Sequence, residues 1–268
     1  LVAKVFNTKI ILRSNSSPSG WSKNFIKKKI FKFVLGLADK IIVNSFEFKK
    51  EFKKEFNLDV TNIYNPLNLK QIKFLSKKKI KLNFFKKKNC LKIINIGRFT
   101  DQKDHLTLLK SVREIKSKIN FKLLIIGRGK NYNLMKKFIE KNHLNDNVKI
   151  IGFKKNPFPF LKLADLFILT SKFEGLPNVL LEAASLKKFI ISTNCPTGPK
   201  EILYNENLGI LCKVGDYKQI AKKILFYQKN KKFLMSKSKN NYFSLNRFNF
   251  NKNLNKYYLE IIKLIKND

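Results

Sequence analysis

The chain has 268 residues and a formal net charge of +39, from 57 basic and 18 acidic side chains. Hydrophobic residues make up 44% of it, enough for a buried core, which excludes a disordered chain. No apolar run approaches the roughly 18 residues that a membrane-spanning helix needs.

The charge narrows the partners less than its size suggests. Arg13, Arg98, Arg113, Arg128 and Arg247 are the arginines, and every other basic residue is a lysine. Specific readers of bases and phosphates rely on the arginine fork. Lysine in this abundance, beside so much Asn, Ile and Phe, reads as a compositional bias that fills solvated faces. A basic nucleic-acid-binding protein remains an alternative supported by charge alone. It requires arginines and aromatics on one exposed stripe, whereas the 25 phenylalanines are expected mostly in the core. Cys90, Cys195 and Cys212 are too few and too far apart for a disulfide framework or a zinc pattern, and a reducing cytosol is the expected compartment. No Asp-x-Asp pair occurs, and His105 and His143 stand far apart, so neither a metal nor a cofactor is expected.

In chain order, short β-branched runs alternate with amphipathic helices, the pattern of an α/β fold with parallel sheets. The first residues read as the tail of a helix, and the sequence is expected to lack the start of an N-terminal lobe. A strand at 9–12 leads into the polar loop 13–20. A basic helix over roughly 22–38, a strand at 40–45, a helix at 46–56 and a strand at 60–64 follow. Asn65-Pro66 stops that strand, because proline disfavours helix before it and cannot donate to a ladder. Residues 1–68 are therefore expected as a partial lobe, and the lysine-rich stretch 69–90 as a linker.

A second unit is expected over 91–230. Its strands fall at 91–96, 121–126, 148–151, 166–169, 189–192 and 209–212. Helices are expected at about 104–117, 131–142, 157–163, 177–186 and 198–203, and Asp216 can cap a further one. Residues 231–268 should be helical, with a long amphipathic helix over 245–266. Such alternation implies a doubly wound sheet, which places ligands at the carboxyl ends of its strands. The loops 97–104, 127–130, 152–156, 170–177 and 193–199 lie there.

The run from Ser171 to Glu182 is the most informative. Glu174 sits in a loop after a strand, and Gly175 permits close backbone approach to a ligand. Leu176 and Pro177 enter a helix whose first turn tolerates proline and whose free N–H groups, from Asn178 onward, suit an anion. Glu182, eight residues after Glu174, can accept two hydrogen bonds from a vicinal diol such as ribose. The loop Gly97-Arg98-Phe99-Thr100-Asp101-Gln102-Lys103-Asp104-His105 pairs a planar fork with a point charge at a strand end. Gly127-Arg128-Gly129 is too short for a dinucleotide fingerprint, and tight-turn geometry accounts for its glycines equally well. Gly152 opens another loop on the same side. Cys195 has no nearby histidine or second acid to make it a nucleophile. Glu201 fits either a helix N-terminal charge or a ligand contact.

These motifs resemble the Glu-x7-Glu segment and the diphosphate clamp of family 4 (group 1) retaining glycosyltransferases, strongly over 91–226 and less so over 1–68. The resemblance implies a GT-B-like fold, in which a C-terminal Rossmann-like domain faces the remainder of an N-terminal Rossmann-like lobe. It implies that Glu174 contacts the donor sugar, Glu182 the ribose, and Arg98 and Lys103 the diphosphate. Gly127, Gly152, Gly175, Leu176, Pro177 and Asn178 would lie on the donor side. Arg13 and Asn15 would line the acceptor side. The implied reaction carries a sugar from a nucleoside diphosphate, with UDP the expected nucleotide, to a glycan or lipid-linked hydroxyl. The basic helix would rest on anionic membrane at the inner face of the cytoplasmic membrane. Two departures stand out: Lys187 and Lys188 occupy a helix–strand turn where glycine is usual, and the C-terminal helix is rich in Asn and Lys. A GT-B epimerase, and a catalytically dead lobe, are the rival readings within the same architecture.

Overall fold

The computed structural model describes residues 8–15, 24–86 and 89–266. The chain start, residues 16–20 of the expected 13–20 loop, the first residues of the expected basic helix, Lys87–Lys88 and the last two residues lie outside the described residues.

A small sheet comes first. Strands β1 (Ile11–Ser14), β2 (Lys40–Val43) and β3 (Thr61–Asn62) pair in parallel in that order. Helix α1 (Phe25–Gly36) connects β1 to β2, and α2 (Phe46–Phe56) connects β2 to β3. Helix α2 has a firm sequence logic. Ser45 caps it by accepting from the Phe48 N–H at 3.1 Å, and Phe48, Phe52 and Phe56 recur every four residues to bury one face against the sheet. Asn57 then closes it in the left-handed conformation, φ 54°. Helix α1 buries none of its residues fully.

The expected linker is partly helical. Asn68 caps α3 (Leu69–Leu75) by accepting from the Gln71 N–H. Ile72 and, further on, Phe85 are buried with the second unit's core. Leu69, Ile72 and Leu75 keep a helical spacing that the intervening lysines obscure.

The larger sheet has the order β6-β5-β4-β7-β8-β9, all parallel. Its strands are β4 (Leu91–Ile96), β5 (Phe121–Ile126), β6 (Val148–Ile151), β7 (Leu166–Leu169), β8 (Phe189–Thr193) and β9 (Ile210–Cys212). The connecting helices are α4 (His105–Arg113), α5 (Tyr132–Lys141), α6 (Phe158–Leu163), α7 (Asn178–Ser185) and α8 (Pro199–Ile202). Helix α9 (Tyr217–Lys229) follows β9, with Asp216 accepting from the Gln219 N–H at 2.8 Å. Two apolar clusters cover the two faces of this sheet, one around Ile93, Leu123 and Ile168, the other around Ile94, Leu124 and Phe167. Neighbouring residues of one strand fall in different clusters because strand side chains alternate. The chain steps outward from β4 to β5 and β6, then returns to the other side of β4 with β7. The switch point therefore lies between β4 and β7, where ligands gather in this fold.

Helices α10 (Lys231–Ser244) and α11 (Phe250–Lys266) return the chain to the small sheet. A 3-10 turn at Leu245–Phe248 separates them, so the expected helix over 245–266 begins only at Phe250. Leu67 N–H donates to the Phe248 carbonyl at 2.8 Å, and Lys40 pairs with Glu260 at 2.7 Å. Other boundaries shift: α4 ends at Arg113 with turns behind it, and β3 keeps two residues because Asn65-Pro66 follows closely. The phenylalanines are not mainly internal. Among the described residues nine are buried and ten are exposed, so a scarcity of glycine and proline went with aromatic surface as well as aromatic core. Lys187 adopts φ 57°, the left-handed conformation that glycine fills without cost.

Candidate active site

The cleft between the two sheets encloses a cavity of about 650 Å³. Arg98 and Lys103 reach it from the loop after β4, and Glu174 to Val179 from the loop after β7 and the start of α7. Glu182 faces it from the second turn of α7, and Arg13, Asn15, Asn44 and Asn65 form the opposite wall. Every residue singled out for the sugar, the ribose and the diphosphate thus meets at the switch point.

Glu174 is buried, and one of its carboxylate oxygens is engaged twice. Lys103 Nζ forms an ion pair with its carboxylate, and the Ser171 hydroxyl donates to the same Oε1 at 2.5 Å. The backbone of Glu174 is held as firmly, because Thr197 Oγ1 donates to its carbonyl at 2.7 Å. Gln102 fixes the neighbouring turn by donating to the Phe173 carbonyl at 2.9 Å and accepting from the Lys172 N–H at 2.8 Å. Lys103, expected at the diphosphate, and Glu174, expected at the sugar, are therefore joined in one partly buried unit.

Glu182 contrasts with it. Its carboxylate has no hydrogen-bond partner among the described residues, and burial pushes its pKa up to about 7. A half-neutral carboxyl at a cavity wall is ready to exchange desolvation for hydroxyl hydrogen bonds. Arg98 is exposed at the rim and makes no ion pair among the described residues.

Gly175 is required by packing between the sheets. A Cβ there would stand 2.2 Å from the Asn15 carbonyl oxygen, so the smallness expected to admit a ligand serves contact with the facing lobe. Pro177 precedes α7 at its cap position, one residue earlier than expected. Asn178 Oδ1 accepts from Asn65 Nδ2 at 2.6 Å. Arg13 lines the cleft, but it donates to Asn65 Oδ1 at 2.6 Å and to the Tyr257 hydroxyl at 2.7 Å. It braces the wall against α11 rather than projecting freely.

Two donor-side glycines are not brought to the cavity. Gly127 lies where a Cβ would come within 1.9 Å of the Gly97 carbonyl, so its smallness serves strand-end packing. Gly152 has open space around it and follows the edge strand β6, two strands from the switch point. His105 is buried edge-on against Phe99 at 5.2 Å, and burial lowers its pKa to about 4. Burial pushes the Cys195 thiol up to about 12, the wrong direction for a nucleophile.

Glu201 resolves into a role across the cleft. Its carboxylate accepts from the Phe46 and Glu47 N–H groups at the start of α2, and from the Tyr64 hydroxyl at 2.5 Å. Glu47 and Asn44 carried no signal in the sequence, because the groups they meet are distant in the chain.

A doubly wound parallel sheet facing a second parallel sheet across such a cleft defines a GT-B-like architecture. The family model for glycosyl transferases group 1 matches residues 76–244, and the chain belongs to that family. It is 38% identical over 83% of its length to an uncharacterized glycosyltransferase of Methanocaldococcus jannaschii, covering 57% of that protein. It is 26% identical over 81% of its length to a diphospho-undecaprenol 4-alpha-N-acetylgalactosaminyltransferase of Campylobacter jejuni, covering 60% of it. The chain thus spans less than two thirds of these relatives. Among solved structures, Anabaena HepE in complex with UDP-glucose superposes with TM-score 0.82 at 17% identity, over 97% of this chain and 74% of that one. Sucrose-phosphate synthase from Thermosynechococcus elongatus gives 0.84 at 17% identity, over 100% of this chain and 70% of that one. At these identities the likeness establishes the fold.

Proposed function

We propose that this chain carries the donor site of a retaining, metal-independent, family 4 glycosyltransferase that moves a sugar from UDP to a hydroxyl of a glycan or lipid-linked glycan. The observation that carries the reading is the convergence of Arg98, Lys103, Glu174 and Glu182 on one cavity. Arg98 grips the diphosphate as a fork and Lys103 as a point charge. Both neutralise the charge that develops as the bond between the anomeric carbon and the phosphate oxygen breaks. The acceptor oxygen forms the new bond to that carbon, and its proton and the nucleoside diphosphate leave. Glu174, already held by Ser171 and Lys103, orients the sugar hydroxyls. Glu182 accepts from the ribose diol.

The UDP-glucose complex of a fold neighbour supports a UDP-sugar donor. The diphospho-undecaprenol relative, and an amylovoran biosynthesis glycosyltransferase of Erwinia amylovora that is 30% identical over 77% of this chain, support a lipid-linked or polysaccharide acceptor. Helix α1 fits peripheral contact with an anionic membrane, because Phe25, Ile26, Ile30, Phe33 and Val34 are exposed beside a lysine-rich face. The deciding assay is sugar transfer by the full-length protein. Glu174→Ala should abolish it with circular dichroism and melting temperature unchanged, and normal turnover in that variant refutes the assignment.

A further inference from the structure

Two carboxylates at the cleft have no part in the proposed chemistry. Glu201 belongs to α8 of the larger lobe. It accepts from the Phe46 N–H with both oxygens, at 3.0 and 3.1 Å, and from the Glu47 N–H at 3.2 Å. These are the first two residues of α2 in the smaller lobe, whose N–H groups have no partner within their own helix. Glu47 reaches back the other way and accepts from the Gly198 N–H at 3.0 Å. Each lobe therefore lends a carboxylate to backbone donors of the other, in charge-assisted bonds favoured by the dipole of α2.

Both ends of this arrangement adjoin the cavity. Gly198 follows Thr197, whose hydroxyl holds the Glu174 carbonyl at 2.7 Å. Gly198 is also so close to the next loop that a Cβ would stand 1.9 Å from the Gly175 carbonyl. On the other side, Phe46 lies two residues after Asn44, which lines the cleft and buries an unpartnered Oδ1. Arg247 anchors the far end of α8 by donating to the Glu201 and Ile202 carbonyls, both at 2.9 Å. Burial, joined by repulsion from Glu201, raises the Glu47 pKa, while the hydrogen bond from the Gly198 N–H and the charge of Lys200 oppose that rise.

We propose that Glu201 and Glu47 form a reciprocal clasp between the lobes, which registers the Glu174 loop against the wall at Asn44 and makes Glu201 a positioning residue for transfer. The positioning role rests on the transferase reading above, whereas the clasp itself does not.

The test uses the full-length protein with spin labels at Lys54→Cys and Lys222→Cys in a Cys90→Ser background. Double electron–electron resonance should give one narrow interlobe distance in the parent. Glu201→Ala should broaden it, Glu47→Ala should do the same, and the double variant should add little, because the two act as one unit. In parallel, kcat should fall by about tenfold in Glu201→Ala, as expected for misplaced reacting groups, while UDP affinity stays within about twofold. Glu201→Gln, which keeps an acceptor oxygen for Phe46, should recover most of the rate. An unchanged distance distribution in both single variants overturns the clasp. Full kcat with a broadened distribution, or a loss of UDP affinity in step with kcat, overturns the positioning role. If the parent shows no transferase activity the functional reading fails, and the distance measurement still decides the clasp.

Discussion

The two lobes are built to different standards. The larger one stacks six parallel strands between two apolar layers. Among the described residues the smaller one has three strands, one of them only two residues long, over a core of Ile41, Val43, Phe48, Phe52, Phe56 and Val60. The groups assigned to the donor sit on the larger lobe, after strand ends. The facing wall is held largely by polar ties to elements outside its own sheet: Arg13 to Tyr257, Lys40 to Glu260, Asn65 to Asn178, and α2 to Glu201. The proposed donor wall is thus a property of one core, whereas the placement of the facing wall depends on how that core is joined to its neighbour.

The comparison can be broken most sharply by emptying each core in turn. Phe167→Ala should cost about 3–5 kcal/mol and lower the denaturation midpoint of the whole chain. Phe52→Ala removes the same mass from the smaller lobe. Its damage should stay local, with hydrogen exchange accelerating in β1–β3 while β4–β9 remain protected. Uniform loss of protection in both variants would contradict the two-standard picture.

A smaller effect is expected at Glu182, where function and stability should pull apart. Its pKa is raised to about 7 in the fold, against about 4.3 when unfolded. The neutral form is therefore favoured by folding, and stability falls as pH rises from the unfolded value through about 7. Glu182→Gln carries no charge. It should be more stable than the parent by on the order of 2 kcal/mol at pH 8, with the gain fading toward pH 5. A gain that does not depend on pH would contradict the burial argument. The mildest test compares two caps. Ser45→Ala and Asp216→Ala should each cost about 1 kcal/mol in thermal unfolding, but only Ser45→Ala should loosen the α2 amides that meet Glu201.

Much of the larger lobe was legible because its strands are continuous β-branched runs, and its site because Arg98, Lys103, Glu174 and Glu182 follow strand ends. What escaped was non-local. Nothing near Glu201 announces helix α2, whose start lies 155 residues away. Nothing near Lys103 announces Glu174, 71 residues on. Helix α3 was hidden because lysines break up its apolar spacing. Gly127 and Gly152 lie outside the residues that line the cavity, and a glycine at a strand end marks a tight turn whether or not a ligand approaches it. The abundance of lysine also concealed how the few carboxylates are used, since Glu47, Glu174, Glu182 and Glu201 all gather at the cleft.

The central claim is that one cavity at the switch point binds a nucleoside diphosphate through Arg98 and Glu182. Calorimetric titration of the full-length protein with UDP tests it directly. The parent should bind, and Arg98→Ala and Glu182→Ala should each weaken binding by roughly 10- to 100-fold, the worth of one or two charge-assisted hydrogen bonds. UDP affinity equal to the parent's in both variants would contradict it.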